Sequence, residues 1–290
     1  MSRKKTIEIS GINIVTQPHS PEGYIQIIKA VNQKPIAVYG HDHLMVSGLR
    51  PHLGGDWTTG IEGELVKFSN IDEHAQWVNI TSGQLAEGEE IPNIPSNIRP
   101  NGALFPFIFH LSGRNTGHRL FYISRSYNSA SKKMDTLSPN LVKKLFTSLF
   151  EDDRIRSNFS SIEVTVIPEK TALSSIFRLP KLSKLFLQIT PPNPDDLETF
   201  EQEMLSRLSS MNVEKVEQTY YGETGESLEP DQNLRQLATV ASHNGYVKGT
   251  GKNSEGVTII LSTTEIPMKE PITVDNDGVS EREALREFKL

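Results

Sequence analysis

Apolar residues recur along the chain with two spacings, and these predict a mixture of strands and helices. Apolar residues at every second position, or in short β-branched runs, are typical of strands. Such stretches cover residues 5–15, 36–50, 63–68, 76–80, 103–111, 118–125, 162–167, 182–190, 213–221, 246–250 and 257–263. Spacings of three and four predict helices over 21–34, 139–150, 194–211 and 231–244, with a short helical piece at 169–178.

Three of the predicted helices begin with the same pair of residues. Each has a polar side chain followed by proline, at Ser20-Pro21, Ser138-Pro139 and Asn193-Pro194. The polar side chain can accept a hydrogen bond from the first turn, and proline fits the first helical position because its missing N–H is not needed there. We therefore expect helices to begin at these three points.

The order of the elements predicts an α+β fold in two regions. Residues 1–135 form a strand-rich region with one early helix, and it packs beside residues 136–275, where helices lie on a mixed sheet. Residues 83–100 are acidic and rich in proline, which is typical of a loop or linker. Residues 276–290 form a charged tail, whose last ten residues could also make a short helix.

Composition indicates a globular protein without a membrane segment. Of the 290 residues, 36% are hydrophobic and 23% are charged, which is enough apolar surface for a core. The apolar runs stay well below the roughly 18 residues of a membrane helix, and the basic N-terminus leads into a strand pattern and not into a signal peptide. The absence of cysteine excludes disulfides, thiolate metal ligands and a cysteine nucleophile. A bacterial cytoplasmic setting is the economical interpretation.

The net charge of −6 is unevenly distributed. Residues 1–98 contain 7 Lys/Arg and 11 Asp/Glu, residues 99–184 contain 14 and 6, and residues 185–290 contain 9 and 19. The three segments therefore carry −4, +8 and −10. A basic middle segment can bind an anionic partner, or it can pair with the acidic C-terminal third of the same molecule.

The basic segment contains a predicted hairpin with aromatic neighbours. Phe105, Phe107 and Phe109 share one face of its first strand. Cations that contact phosphates and rings that stack on bases are the means by which proteins bind single-stranded nucleic acid. Three phenylalanines at this spacing also fit a buried core. The candidate nucleic-acid-binding residues are Arg114, His118, Arg119, Arg125, Lys132, Lys133, Lys143 and Lys144.

Two histidines form the candidate metal site. His41 and His43 would lie on the same side of a strand, because side chains alternate between its faces. A metal site needs further ligands, and His52 and Asp56 are the nearest in sequence. Exposed turn residues explain the same pair. No cofactor is predicted, although a divalent metal stays possible.

The candidate catalytic residues are Glu62, Glu64 and Lys67. Their order is similar to the two carboxylates and lysine of metal-dependent nucleases, in which the carboxylates hold a divalent ion, but the spacing differs. The charged side of an edge strand explains the two glutamates better than catalysis does. The sequence contains no Gly-x-Ser-x-Gly motif for a serine nucleophile, and the glycine-containing loop at 222–226 carries two glutamates that would repel phosphate.

Several short motifs resemble those of a family of uncharacterised bacterial proteins, catalogued as a domain of unknown function. They are Pro18-His19-Ser20-Pro21, Lys67-Phe68 followed by Ile71-Asp72 and Trp77, Asn193-Pro194-Asp195-Asp196-Leu197, Gly225-Glu226-Ser227-Leu228, and Ser242 with Asn244-Gly245-Tyr246-Val247. The resemblance covers most of residues 5–275. It implies genes on mobile elements and beside phage-defence systems, and it carries over no catalytic residue.

Three functions are consistent with these observations. The first is a bacterial accessory or effector protein of phage defence that binds nucleic acid through residues 99–184. The second is a protein-interaction subunit of a homo- or hetero-oligomer, in which the basic and acidic segments are complementary faces. The third is a metal-dependent nuclease that uses His41, His43, Glu62 or Glu64. The first requires the candidate cations to lie on one accessible surface.

Overall fold

The computed structural model describes residues 4–70, 76–86, 88, 94–111, 118–128, 131–191, 199–211, 213–275 and 281–288. The chain is an α+β protein with 26% helix and 42% strand, so strands outweigh helices as the sequence predicts. The strands are β1 Lys4–Gln17, β2 Ile36–Tyr39, β3 Asp42–Pro51, β4 Ile61–Ser69, β5 Val78–Asn79, β6 Gln84–Leu85, β7 Ala103–Phe109, β8 Arg119–Asn128, β9 Lys133–Thr136, β10 Ser161–Val166, β11 Lys181–Ile189, β12 Val216–Tyr221, β13 Gly245–Lys252, β14 Thr258–Ser262 and β15 Glu270–Asp275. The helices are α1 Pro21–Ala30, α2 Pro139–Phe150, α3 Asp153–Arg156, α4 Ala172–Phe177, α5 Thr199–Ser210, α6 Gln232–His243 and α7 Glu281–Glu287, with 3₁₀ turns at His52–Gly54 and Trp57–Thr59.

The larger sheet is organised around β1. Among the described residues it has nine strands in the order β10-β1-β8-β7-β4-β3-β2, with β15 also paired to β1 and β9 to β8. The N-terminal half of β1 pairs with β15 and its C-terminal half with β10, while β8 pairs with its middle. A 14-residue strand can therefore hold three partners that are far apart in sequence.

The larger sheet is covered on both faces. On one face, α1 and α2 pack over a core that includes Phe105, Phe107 and Phe109. On the other face, α7 packs over a smaller core that includes Ile108 and Phe121. The three phenylalanines are thus core residues, and burying each of them stabilises the fold by about 2–3 kcal/mol.

The smaller sheet has the order β12-β11-β13-β14, and α4, α5 and α6 pack on one of its faces. We expected a mixed sheet here, but every described strand pair is antiparallel. The strands β12 and β13 do run in the same direction. They lie on opposite sides of β11 and therefore do not pair with each other.

The sheets do not follow the predicted division at residue 135. Helix α2 and strands β10 and β15 come from beyond that point, yet all three pack on or join the larger sheet. The charged C-terminal stretch also contributes α7 to this sheet. The sequence analysis did not predict β9 and β15, which lie in stretches without a clear alternating pattern. Strand β9 has four residues and pairs with the adjacent β8, whereas β15 pairs with β1 at the other end of the chain.

Two of the predicted helix starts lie within the described residues. Helix α1 begins at Pro21, and the Ser20 hydroxyl accepts a hydrogen bond of 3.0 Å from the backbone N–H of Gly23. Helix α2 begins at Pro139, although the Ser138 side chain makes no capping bond. The predicted start at Asn193 lies outside the described residues. Within the described chain, no helix is long and apolar enough to cross a membrane.

The chain passes between the two sheets at two adjacent places. Residues 167–171 lead from β10 to α4, and residues 263–269 lead from β14 back to β15. The two passages are hydrogen-bonded to each other, from Glu169 N to Ile266 O and from Met268 N to Ile167 O, both at 2.9 Å. The His243 carbonyl at the end of α6 also accepts a bond of 3.4 Å from Asn13 Nδ2 of β1.

Candidate nucleic-acid interface

The candidate cations of the predicted hairpin are separated from one another. His118 is fully buried, and Arg125 Nη1 forms an ion pair of 2.8 Å with Glu8 on β1. Arg119 is half-buried on β8, and Arg114 lies outside the described residues. The described residues of this hairpin therefore do not form one basic surface.

The remaining four candidates lie at the start of β9 and on α2. Lys132 and Lys133 are exposed at the turn between β8 and β9. Lys143 and Lys144 project from the polar side of α2 into a groove beside the smaller sheet. These two lysines therefore lie beside the smaller sheet.

One face of the smaller sheet carries no helix among the described residues, since α4, α5 and α6 all pack on the other. We call it the open face. Strand registers place Lys184 between Tyr221 and Thr250, Phe186 between Thr219 and Lys248, and Gln188 between Glu217 and Tyr246. The open face comprises Lys181, Lys184, Phe186, Gln188, Glu217, Thr219, Tyr221, Tyr246, Lys248, Thr250, Lys252 and Ile260.

Cations and aromatic rings alternate across this face. Tyr221 is 69% exposed, and the Lys184 ammonium lies 5.4 Å from the centre of its ring. Phe186 and Tyr246 lie side by side with ring centres 5.5 Å apart. Four lysines and one glutamate give the face a positive charge, in contrast to the acidic C-terminal third of the chain. Tyr221 is exposed, and Phe186 and Tyr246 are half-buried. Aromatic rings at the surface can stack on bases while neighbouring lysines contact phosphates.

The sequence of β13 allows a helix to approach its inward side closely. Its inward positions are mainly glycine, while Tyr246 and Lys248 point outward. Helix α4 lies so close that a Cβ atom at Gly249 would be 2.4 Å from Cγ2 of Ile176. Tyr246 and Lys248 therefore place their larger side chains on the open face.

A groove of about 460 Å³ adjoins the open face. It runs between the polar side of α2 and the end of the smaller sheet, and its lining is Asn140, Lys143, Lys144, Thr147, Ser148, Tyr246 and Thr264. The Lys144 ammonium donates a bond of 2.6 Å to the Val38 carbonyl. Burial raises the pKa of the nearby Glu163 carboxyl, and the positive charge of Lys143 partly offsets that effect.

Glu62, a candidate catalytic residue, is buried in a strongly hydrogen-bonded cluster. Its carboxylate accepts bonds from Arg50 Nη2 at 2.9 Å, His52 Nδ1 at 2.9 Å and Arg286 Nε at 2.8 Å. Burial alone would raise the pKa of Glu62, but the bonds from Arg286, His52 and Arg50 lower it to about 2. The carboxylate is therefore ionised, and His52 must donate its Nδ1 hydrogen to it.

Glu64 is also held by an ion pair, whereas Lys67 lies on the other face of the sheet. Glu64 pairs with Arg282 of α7, whereas Lys67 pairs with Asp42 at 2.9 Å. Because side chains alternate along β4, Lys67 points to the opposite face of the sheet from Glu62 and Glu64. The three residues therefore do not form one catalytic group. The two glutamates fasten α7 to the middle of the larger sheet, not to an edge strand.

The candidate metal ligands are also engaged in other contacts. His43 Nδ1 lies 3.1 Å from the carbonyl of His41, and its ring stacks on Phe68. His52 is bound to Glu62, and Asp56 accepts a bond from Thr58 N. In the part of the chain that the structure describes, no three histidine or acidic side chains are grouped as a metal site would need.

Reasoning from the sequence missed the open face. The pattern that could have revealed it is the alternation of lysine and aromatic residues with apolar or glycine residues, at 184–188 and 246–252. Charge counted over long segments concealed these lysines, because Lys184 falls in the basic segment whereas Lys248 and Lys252 fall in the segment that contains 19 acidic residues.

Comparison with protein families gives one match. The family described as "Domain of unknown function (DUF4747)" matches residues 5–289, which is nearly the whole chain. Among the curated proteins, none matches the chain.

Proposed function

We propose that this chain, which belongs to the DUF4747 family of unknown function, binds single-stranded nucleic acid through the open face. The observation that carries the proposal is the interleaving of Phe186, Tyr221 and Tyr246 with lysines on a sheet face that no described helix covers. An antiparallel sheet with exposed rings is a common platform for single strands, because bases stack on the rings.

The geometry favours a single strand over a duplex. In a duplex the bases are stacked on each other, and their flat faces are not available to aromatic side chains. The three rings of the open face would then have no partner. Phosphate contacts from Lys184, Lys248 and Lys252 supply the sequence-independent part of the affinity.

The bacterial context forms part of the same proposal. The resemblance in short motifs supports a role in phage defence and genes on mobile elements, and the absence of cysteine favours the cytoplasm. Plaque counts on cells that express the wild-type chain or an open-face variant test this role. Equal protection by the two chains would separate defence from the open face.

A charge-reversed open face is the direct test of binding. The double variant Lys184→Glu/Lys248→Glu should weaken binding of a fluorescent oligouridine or oligothymidine and should lower the slope of log affinity against log salt by about 1.4, since each lost phosphate contact removes about 0.7. Tyr221→Ala should cost about 1–3 kcal/mol of binding free energy, because one stacking partner is removed. The matched control is Lys132→Glu/Lys133→Glu, which should leave the affinity unchanged.

Two outcomes would contradict the proposal. One is an affinity that does not respond to salt, since phosphate contacts release counterions. The other is loss of binding in the Lys132/Lys133 control with full binding in the open-face variants. That result would place the binding site near the predicted hairpin and not on the open face.

A protein-interaction subunit is the alternative for the same surface, because the exposed Tyr221 and Ile260 also suit a protein partner. Size-exclusion chromatography with light scattering separates the two functions. A second copy seated on the open face would give a dimer that Lys184→Glu/Lys248→Glu dissociates and that does not bind oligonucleotides.

A further inference from the structure

We infer that the groove between α2 and β13 holds one nucleotide of the bound strand, with its base against Tyr246 and its phosphate at Lys143. This inference rests on the proposed function and adds the path of the strand. The strand would cross the open face and then enter the groove. The sequence pattern does not predict this path.

Tyr246 makes the groove and the open face continuous. Its ring packs beside Phe186 in the open face, with centres 5.5 Å apart, and the same residue lines the groove together with Thr264. A base stacked on Phe186 and a base at Tyr246 would thus be neighbours on one strand. The next phosphate along that strand would then reach the polar side of α2.

The polar side of α2 has the chemistry of a phosphate contact. Asn140, Thr147 and Ser148 provide amide and hydroxyl groups that donate to phosphate oxygens. Lys144 is held by the Val38 carbonyl. Lys143 forms no ion pair or hydrogen bond with any described residue, so its ammonium is the cation available for a ligand in the groove.

The groove has the dimensions of a small-molecule site. Its volume of about 460 Å³ lies toward the lower end of the roughly 300–1,000 Å³ that ligand pockets span, which suits one nucleotide.

The Glu163 carboxyl interacts electrostatically with Lys143 of the groove. Its pKa is raised first by burial and then by the neighbouring Glu214, while Lys143 and Lys215 act in the opposite direction. When Glu163 is ionised, its negative charge repels phosphate. Removing this charge should strengthen phosphate binding at Lys143, which gives a variant with the opposite expected sign.

The experiment compares Lys143→Gln with Lys133→Gln as the matched control. Affinity for a fluorescent oligouridine should fall by about 5-fold in Lys143→Gln, and the salt slope should fall by about 0.7, which is one phosphate contact. Lys133→Gln should match the wild type. Glu163→Gln should bind the oligonucleotide more tightly than the wild type. A 5-iodouracil oligonucleotide, after irradiation, should crosslink to Tyr246.

Uridine monophosphate and inorganic phosphate serve as separate probes. If Lys143→Gln loses uridine monophosphate binding but keeps full oligonucleotide affinity, the groove is a mononucleotide site and the inferred strand path is overturned. If Lys184→Glu/Lys248→Glu loses oligonucleotide binding while Lys143→Gln does not, the inference fails and the proposed function stands. If no variant changes oligonucleotide binding, both fail. Circular dichroism of each variant confirms that it is folded.

Discussion

The Glu62 carboxylate lies in the middle of the larger sheet, only 2% exposed, and it is neutralised from several sides. A glutamine at this position would keep the shape but would leave Arg50 and Arg286 without their counter-charge. Removing one partner of a buried ion pair costs about 3–5 kcal/mol. We therefore expect Glu62→Gln to lower the free energy of unfolding by about this amount, measured by urea denaturation.

The control is Glu8→Gln, which removes the partner of Arg125 at the surface. In that pair the arginine side chain is 49% exposed, and exposed pairs contribute about 0–1 kcal/mol. Equal losses in the two variants would show that burial does not strengthen the Glu62 cluster.

His110 gives the larger sheet a separate sensitivity to acid. Burial, together with the nearby His52, lowers the pKa of His110 to about 4 from its ordinary 6.5. Between these two pH values the unfolded chain binds a proton that the folded chain does not, so stability is full above pH 6.5 and falls toward pH 4. The shift corresponds to about 3 kcal/mol.

The variant His110→Gln should therefore lose about 3 kcal/mol less free energy of unfolding than the wild type between pH 7 and pH 4. Urea denaturation across this range measures the difference. The window lies mostly above that of Glu62, whose ordinary pKa is 4.5 and whose folded pKa is about 2. Parallel pH profiles for the variant and the wild type would contradict the assigned burial of His110.

At the level of single residues, the sequence predicted on which face of a strand a side chain lies, but not which residues it contacts. The spacing of Glu62 and Glu64 correctly placed both on one face of a strand. It did not predict burial, because the neutralising Arg286 is 224 residues away. Ion pairs between distant segments leave no local pattern. The same limit explains why His118, which reads as a hairpin cation, is a core residue.

Helix α7 is the element whose stability depends most plainly on tertiary contacts. It has seven residues, too few for a stable isolated helix. Leu285 is 1% exposed and packs into the core on that face of the larger sheet. We expect Leu285→Ala to lower the free energy of unfolding by about 2–4 kcal/mol. The exposed Glu287 of the same helix provides the control, because Glu287→Ala should change it by less than about 0.5 kcal/mol.

Thermal and urea denaturation of the two variants measure this difference. A small effect of Leu285→Ala would mean that α7 is held mainly by Arg282 and Arg286. In that case the apolar contacts on this face would be secondary to the ion pairs.

Among the elements, those with local signals were predicted and those without were not. Proline and serine at the start of α1 and the aspartate before α6 determine helix boundaries through neighbouring residues. Strand β15 and helix α7 form because β1 and β4 supply partners, and a charged segment by itself gives no sign of this. Strand β13 was predicted, but its inward glycines do not indicate which helix they admit.

At the scale of the whole molecule, the basic residues of the middle segment do not form one basic surface. The basic middle segment contributes its cations to several places, including the ion pair of Arg125 with Glu8. The open face combines Lys181 and Lys184 of the basic middle segment with Lys248 and Lys252 of the acidic C-terminal third, because these lysines point outward on β11 and β13. Segment charge therefore predicts the existence of a charged surface better than its position.

The hydrogen-bonded passages between the sheets predict that the two sheets unfold together. An oligonucleotide bound to the smaller sheet at 100 times its dissociation constant adds about 2.7 kcal/mol to the free energy of unfolding. The two tryptophans, Trp57 and Trp77, both lie outside the smaller sheet. Trp57 packs against the core of the larger sheet, so its fluorescence reports on that sheet.

We expect the tryptophan transition in urea to shift by this amount in the wild type and to shift less in Lys184→Glu/Lys248→Glu, which binds the ligand more weakly. The two sheets are coupled through residues 167–171 and 263–269, whose mutual bonds from Glu169 and Met268 measure 2.9 Å, and through a bound strand that also contacts Lys143 of α2. If the oligonucleotide binds but the tryptophan transition does not move, the sheets unfold independently, and the two passages act as a hinge between separate folding units.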